Sequence, residues 1–142
     1  MAEQTTIHAT CVSVDGKGVL LRGPSGVGKS DLALRLIEGG GMLVSDDQVV
    51  LCRHHQQLIA SPPASLAGLL EVRGVGICSF NYNKQCKLTA LIDLEPGVVP
   101  ERLPDLENNC ENLLGIDITR LMLDPFQASA PAKVRAFLNL IG

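Results

Sequence analysis

Aromatic residues are scarce in this chain, which has no Trp, one Tyr and three Phe among its 142 residues. Basic residues are not in excess either, because the formal net charge is −3. Proteins that bind nucleic acid usually carry a basic patch and often stack bases on aromatic side chains. The composition therefore argues against a nucleic-acid partner.

Paired cysteines and long apolar runs are also missing. The five cysteines are an odd number and none is spaced as C-x-x-C, which disfavours a zinc site or a disulfide framework. No apolar run approaches the roughly 18 residues that a membrane-spanning helix needs, and residues 1–6 lack the basic start of a signal peptide. We therefore expect a cytoplasmic protein with no membrane partner, folded as a single domain over 1–142.

A glycine-rich segment at 23–30 is the most informative feature that the sequence does have. It follows G-x-x-x-x-G-K-S, the spacing of a phosphate-binding loop (P-loop). Glycines let the backbone approach an anion closely, and the N–H groups at the start of the following helix point toward it. In such a loop the Lys reaches the β- and γ-phosphates and the Ser hydroxyl holds Mg²⁺. The eight residues predicted to bind a nucleoside triphosphate are Gly23, Pro24, Ser25, Gly26, Val27, Gly28, Lys29 and Ser30.

The rest of the chain divides into short strand-like and helix-like segments. A buried strand at 19–21 leads into the P-loop, and an amphipathic helix at 31–38 follows it. Strands interleave with helices and one hairpin is expected, so the predicted fold class is α/β, a single P-loop domain with a mixed sheet. Further strands are predicted at 7–14, 42–45, 49–52, 58–60, 77–80, 87–94 and 116–123, and further helices at 64–70 and 131–141.

Two carboxylates, Asp46 and Asp47, follow the predicted strand at 42–45. The gap from Lys29 holds one helix and one glycine turn, so this strand is expected beside the strand that leads into the P-loop. There, one carboxylate can position Mg²⁺ or its water, and the other can accept the proton of an attacking hydroxyl. Since neighbouring strand residues point to opposite faces, only one of the two is expected to face the nucleotide. The alternative is that the pair merely ends the strand and starts a turn.

A third polar segment, Glu-Val-Arg-Gly-Val-Gly at 71–76, has the composition of a tight turn between a helix and a strand. Glu71 and Arg73 could simply pair with each other at the surface, which contributes little stability. In a protein with a P-loop they could instead serve as a second Mg²⁺-directed carboxylate and a phosphate-directed guanidinium. The residues alone leave both interpretations open.

Three motifs together resemble the catalytic domain of the HPr kinase/phosphorylase family: G-P-S-G-V-G-K-S at 23–30, L-V-S-D-D at 43–47 and E-V-R-G-V-G at 71–76. His8 also precedes Lys29 at the spacing of that family's active-site histidine. The chain starts almost at this histidine, so it is most similar to the short proteobacterial forms, which have the catalytic domain alone. The resemblance implies a P-loop fold akin to that of phosphoenolpyruvate carboxykinase.

The resemblance also implies how the nucleotide and its metal are held. The segment 23–30 would bind ATP, and Lys29 would stabilise the phosphoryl group in transfer. Ser30 and Glu71 would hold Mg²⁺. The implied cofactors are therefore ATP and Mg²⁺.

The same resemblance implies the residues that move the proton. Asp47 would be the general base toward the substrate serine, and the general acid when the reaction runs backward. His8 would assist at the same site, and Asp46 would support the base. Arg102 falls near the family's further catalytic arginine and is the remaining predicted catalytic residue.

The implied substrate is a serine on an HPr-type phosphocarrier protein of the sugar phosphotransferase system, and the implied assembly is a homo-oligomer, a hexamer in the family. The reverse reaction, phosphorolysis of the phosphoserine, is tied in the long family members to a basic loop near the C-terminus. The corresponding segment here, 123–130, has no basic residue. Kinase activity is therefore better supported than phosphorylase activity.

Two functions of other classes fit the P-loop as well. A small-metabolite kinase of the shikimate or gluconate type also has a P-loop and an acidic strand end, but gives 71–76 no obvious role. A nucleotide-binding regulatory module would need the P-loop without a general base. The intact Lys29, Ser30 and Asp47 argue against that second alternative.

Overall fold

The computed structural model describes residues 3–142. Met1 and Ala2 lie outside the described residues; they belong to the N-terminal segment that was predicted not to be a signal peptide. Over 3–142 the chain forms eleven strands and two α-helices, which confirms the α/β class with a mixed sheet. The elements are β1 (Gln4–His8), β2 (Thr10–Val14), β3 (Lys17–Arg22), α1 (Lys29–Glu38), β4 (Met42–Ser45), β5 (Gln48–His54), β6 (Gln57–Ser61), β7 (Leu69–Val72), β8 (Gly76–Ser79), β9 (Cys86–Leu94), β10 (Cys110–Leu113), β11 (Ile116–Leu123) and α2 (Ala130–Ile141).

Nine of the strands form one sheet in the order β1-β5-β6-β9-β3-β2-β4, with β11 also paired to β9 and β10 paired to β11. Two of the pairings are parallel, β3 with β9 and β9 with β11, and the other pairings are antiparallel. The strands β7 and β8 form a separate hairpin. The P-loop strand β3 therefore lies inside the sheet, between β9 and β2. The prediction that the strand at 42–45 lies beside it was wrong, because β2 pairs with both and separates β4 from β3.

The sheet buries a hydrophobic core on each of its two faces. On β3, Val19 and Leu21 point into the core that packs against α1 and α2, whereas Leu20 points into the other core. The second core is closed by β5 and β6, so the sheet curls over its own face. Val19, Leu20 and Leu21 of β3 are apolar and fully buried between the two cores. The end of β3 is therefore held rigidly, and this fixes where the P-loop begins.

The prediction of a helix over 64–70 was wrong. Only Ala64–Leu66 makes a single 3₁₀ turn, and the chain then enters β7. Gly68 has a φ of +76°, a left-handed conformation that ends the helical turn. The following residues pair with β8, so a long-range partner decides their conformation.

Two further differences concern strands. The predicted strand at 7–14 is divided at Ala9, whose N–H donates to the backbone carbonyl of Asp47 (3.1 Å). A strand that was not predicted, β10, forms in the polar region before β11 and pairs with it. No helix within residues 3–142 has the length and apolarity to cross a membrane.

Candidate active site

The P-loop connects the end of β3 to the start of α1. Gly26 and Gly28 have φ values of +81° and +101°, which a residue with a Cβ rarely adopts. At Gly23 a Cβ would lie 2.8 Å from the Val27 side chain and 3.2 Å from the carbonyl oxygen of Leu94, so the loop is in close contact with its surroundings. The first N–H groups of an α-helix have no partner within the helix, so the start of α1 is suited to bind an anion.

Lys29, the first residue of α1, folds its side chain back over the loop. Its Nζ donates to the carbonyl oxygens of Gly23 (2.6 Å) and Pro24 (3.0 Å), and the residue is only 7 % exposed. Burial lowers the pKa of Lys29, while the carboxylates of Asp47 and Asp46 oppose that shift. A buried ammonium whose hydrogen-bond acceptors are neutral carbonyl oxygens can exchange them for anionic oxygens, which bind it more strongly.

Asp46 is the residue that joins the separate parts of the site. One carboxylate oxygen, Oδ1, accepts hydrogen bonds from the hydroxyls of Ser30 (2.8 Å) and Thr10 (2.9 Å). The other, Oδ2, accepts the backbone N–H of Glu71 (3.1 Å). Asp46 is buried, and its partners come from α1, β2 and β7. A single carboxylate thus fixes the P-loop serine relative to the hairpin that carries Glu71.

Asp47 contacts His8 at the edge of the same site. The Nε2 of His8 lies 2.9 Å from Oδ1 of Asp47, and the two side chains are 49 % and 64 % exposed. The prediction that only one of the two aspartates faces the site was wrong, since both line one cavity. The reason is that Asp47 has a φ of +70° and lies in a turn rather than in a strand, so its side chain does not alternate with that of Asp46.

The cavity over the P-loop has a volume of about 480 Å³, large enough for a small ligand. Glu71 and Arg73 line it together with the P-loop and the two aspartates, so the structure brings the motif at 71–76 to the site. In place of the predicted turn after a helix, this motif forms the tip of the β7–β8 hairpin.

The donor set fits a magnesium ion held partly by its nucleotide. A serine hydroxyl, that of Ser30, and the carboxylates of Asp46 and Glu71 line the same cavity, and such oxygen ligands suit Mg²⁺. Among residues 3–142 no group of three or more His, Cys, Asp or Glu side chains could hold a metal ion. Mg²⁺ is usually bound through one or two carboxylates plus phosphate oxygens.

Among the predicted site residues, those that do not line this cavity are His8, Gly23, Pro24, Val27 and Arg102. His8 still contacts Asp47, and Gly23, Pro24 and Val27 belong to the P-loop itself, whereas Arg102 lies elsewhere. It lines a second cavity of about 460 Å³, together with apolar side chains of β11 and α2 such as Leu121 and Phe137. The loop that carries it is exposed, and its predicted catalytic role stays a prediction.

Sequence reasoning missed a charged cluster at the base of the P-loop. The guanidinium of Arg22 donates to both carboxylate oxygens of Asp93 (2.7 and 3.1 Å) and to both of Glu111. The Nε of Arg120 lies 2.8 Å from the Asp93 carboxylate. Arg22 ends β3 and directly precedes Gly23, while Asp93, Glu111 and Arg120 lie on β9, β10 and β11. The available signal was the presence of charged residues within or directly after the predicted strands at 19–21, 87–94 and 116–123.

Comparisons with known proteins show which family the chain is similar to. Residues 1–128 match the family model of the HPr Serine kinase C-terminal domain. The HPr kinase/phosphorylase of Bordetella pertussis is 37 % identical over 134 residues, which cover 87 % of this chain and 43 % of that protein. The HPr kinase/phosphorylase of Streptococcus salivarius is 35 % identical over the same shares of both chains. The chain thus spans less than half the length of these curated relatives.

A solved structure is similar over nearly the whole chain. The Hpr(Ser) kinase/phosphatase from Coxiella burnetii superposes with a TM-score of 0.80 at 29 % sequence identity. The alignment covers 96 % of this chain and 95 % of that one. The fold described above, an α/β fold with a mixed sheet, therefore has a counterpart among solved structures.

Proposed function

The chain belongs to the HPr serine kinase C-terminal domain family, and on that premise we propose that it transfers the γ-phosphoryl group of ATP to a serine of an HPr-type phosphocarrier protein. The observation that carries the proposal is the convergence of three groups on one cavity. These are the P-loop with Lys29, the hydroxyl of Ser30 held by Asp46, and the exposed carboxylate of Asp47, which His8 contacts.

The phosphates of the nucleotide bind at the start of α1. The N–H groups of the P-loop receive them, and the ammonium of Lys29 exchanges the carbonyls of Gly23 and Pro24 for phosphate oxygens. Because the ammonium is buried, its charge is poorly screened and stabilises the negative charge of the phosphoryl group in transfer.

Ser30, Glu71 and the Asp46 carboxylate are the residues that would hold Mg²⁺. When bound, the ion supplies charge neutralisation across the β- and γ-phosphates. Asp46 accepts the Ser30 hydroxyl and the backbone N–H of Glu71 at the same time, so it keeps these two parts of the metal site aligned.

Asp47 acts as the general base. Its carboxylate accepts the proton of the substrate serine while the serine Oγ attacks the γ-phosphorus, and the bond to the bridging oxygen of ADP breaks. The imidazole of His8 orients the carboxylate through their 2.9 Å contact. Both side chains are exposed, as a base must be when its substrate is a residue on another protein's surface.

The reverse reaction uses the same groups. Protonated Asp47 returns its proton to the serine Oγ while inorganic phosphate attacks the phosphoserine, which yields pyrophosphate. The loop 124–129 at the site has no basic residue to hold the attacking phosphate, so we infer that phosphorolysis is slower than the kinase reaction.

We further infer a fold of the phosphoenolpyruvate carboxykinase type, a cytoplasmic location and a homo-oligomer, a hexamer by family resemblance.

The test is direct. The protein is incubated with Mg-ATP labelled at the γ-phosphate and with purified HPr-type carrier proteins, their serine-to-alanine variants, and small alcohols including shikimate and gluconate. Label on the serine of a carrier, lost with the alanine variant and with Asp47→Asn, is expected. Label on a small alcohol and on no carrier would refute the proposal in favour of a metabolite kinase. ATP binding without any transfer would indicate a regulatory module.

The slower reverse reaction is tested with the phosphorylated carrier. Excess inorganic phosphate is added to phosphoserine-carrier and enzyme, and the release of pyrophosphate is measured. The expected rate is well below that of the kinase reaction, and a comparable rate would contradict the inference drawn from the loop.

A further inference from the structure

Phe126 is an exposed aromatic side chain at the wall of the active-site cavity. It is 61 % exposed, whereas the three other aromatic residues, Phe80, Tyr82 and Phe137, pack against the hydrophobic core. A Cβ built on Gly28 would lie 3.3 Å from the Cε1 of Phe126, so the ring rests directly on the P-loop. An apolar ring left open to solvent at this position has no evident role in the packing of the fold.

The segment that carries Phe126 is fixed to the helix that starts at the P-loop. Arg35 of α1 donates to the backbone carbonyls of Pro125 and Gln127, the latter at 3.2 Å. The N–H of Phe126 donates to Oδ1 of Asp124 (2.9 Å). The backbone on both sides of Phe126 is thus held to α1, which fixes the point from which the ring extends relative to the P-loop.

The surroundings of the ring suit a flat, mainly apolar ligand group. Leu34 lies one helical turn after Ser30, on the same face of α1, and also lines the cavity. Asp31, which also lines the cavity, pairs with Arg35 (3.1 Å), and the Oε1 of Gln127, the residue after Phe126, accepts from Lys133 (2.8 Å). The ring therefore offers a flat apolar surface on which a ligand group can stack.

We propose that Phe126 is the platform on which the purine base of the bound nucleoside triphosphate stacks. This rests on the proposed function only in that the P-loop binds a nucleoside triphosphate. Stacking on an aromatic face is tolerant of the base because every base has a π-face. Phe126 therefore strengthens the binding of ATP and GTP to a similar degree and contributes nothing to the binding of the triphosphate alone.

The test uses calorimetry on the whole chain with three probes, Mg-ATP, Mg-GTP and Mg-tripolyphosphate. Phe126→Ala is expected to weaken ATP and GTP by about tenfold each, as the loss of one stacking contact predicts. Tripolyphosphate binding should change less than about twofold. Phe126→Trp should keep the wild-type affinities, while Phe126→Leu, which retains apolar bulk without an aromatic face, should behave like the alanine variant.

Leu140→Ala is the matched control, because Leu140 is also an exposed apolar side chain but lies on α2, outside the P-loop cavity. Thermal melts of all variants establish that they are folded. An equal loss for tripolyphosphate and ATP would overturn the proposal, because Phe126 would then shape the P-loop rather than hold the base. Unchanged ATP affinity in Phe126→Ala would overturn it as well, and in both cases the kinase function would stand. Failure of the wild-type chain to bind ATP would instead refute the proposed function together with this inference.

Discussion

His8 and Asp47 are 39 positions apart in the sequence, yet the Nε2 of His8 lies 2.9 Å from Oδ1 of Asp47. The antiparallel pairing of β1 with β5 causes this, since it places His8 opposite Gln48. The left-handed turn at Asp47 then directs the carboxylate toward the imidazole. The pair is positioned by the backbone register of two neighbouring strands rather than by a flexible loop.

Asp47→Asn should abolish proton removal from the substrate serine while leaving the nucleotide site intact. We expect kcat for carrier phosphorylation to fall by about 10²- to 10⁴-fold, the usual contribution of a general base. The dissociation constant of Mg-ATP should change little, because the P-loop and Ser30 are untouched. Rapid-quench measurement of transfer and calorimetry of ATP binding check the two halves of this prediction.

His8→Ala is the companion measurement. A smaller loss of kcat than in Asp47→Asn is expected, with partial recovery in His8→Gln, whose amide can still donate to the carboxylate. Equal losses of kcat in His8→Ala and Asp47→Asn, with no recovery of kcat in His8→Gln, would show that His8 itself accepts the proton.

Asp46→Asn should reduce stability and activity together. The asparagine side chain can accept fewer of the three hydrogen bonds that Ser30, Thr10 and Glu71 donate to Asp46. A buried donor left without its acceptor costs about 1–3 kcal/mol, so the free energy of unfolding should fall by that amount. Urea denaturation measures this change, and Asp117→Asn, at an exposed aspartate, is expected to stay within about 0.5 kcal/mol of the wild type.

Nucleotide affinity should decline at alkaline pH because of Lys29. Burial lowers the pKa of Lys29 in the free protein, and phosphate oxygens favour its charged form. Binding therefore raises the pKa and takes up a proton, and affinity falls as the pH rises through the lowered pKa. An ordinary lysine would remain charged up to a pH of about 10.4.

Calorimetric titration of Mg-ATP between pH 7 and 10 measures this effect, and buffers of different ionisation enthalpy report the proton uptake. Lys29→Arg retains its charge throughout and should lack the decline. A wild-type affinity that stays constant up to pH 10 would show that the ammonium of the free protein keeps its ordinary pKa.

Glu111 should stabilise the fold at neutral pH but not in acid. Its hydrogen bonds to Arg22 lower the pKa of the Glu111 carboxyl, with the charges of Arg22 and Arg120 adding to the shift. Because the folded-state pKa lies below the unfolded value, the stabilisation is fully present above about pH 5 and is lost as the pH falls through the lowered pKa.

Glu111→Gln should therefore reduce the free energy of unfolding by about 1 kcal/mol at pH 7 and by progressively less as the pH falls. Denaturant melts at several pH values measure the difference. Glu107→Gln, at an exposed carboxylate before β10, is expected to have no comparable effect. A Glu111→Gln difference that is independent of pH would attribute the change to packing rather than to charge.

The sequence alone was sufficient to predict the segments whose conformation depends on residues nearby in the chain. The P-loop, the strand before it and the helix after it follow from glycine spacing and apolar periodicity over a few residues, and the structure places them as expected. The helix predicted at 131–141 was also found, beginning one residue earlier at Ala130. In these segments the nearest neighbours in the chain determine the conformation.

The parts that could not be predicted depend on distant partners. The segment Leu69–Val72 has helical propensity but becomes a strand, because it pairs with β8 and donates a hydrogen bond to Asp46. The roles of Asp46 and Asp47 depend on one backbone angle, the positive φ of Asp47, which no spacing rule indicates. Likewise, Arg22 on β3 meets Glu111 on β10 only because β9 and β11, which lie between these two strands in the pairing order, bring the two residues together.

The parallel pairing of β3 with β9 also bears on how the protein is made. The P-loop motif is complete once Ser30 has been synthesised, but the strand that covers one edge of β3 comes from Cys86–Leu94. During translation the N-terminal part emerges first, so one edge of β3 remains unpaired until β9 has been synthesised. Unpaired strand edges promote pairing between molecules. A nascent chain or fragment that ends before β9 therefore carries the whole motif in an aggregation-prone form, and only the later residues complete the sheet around it.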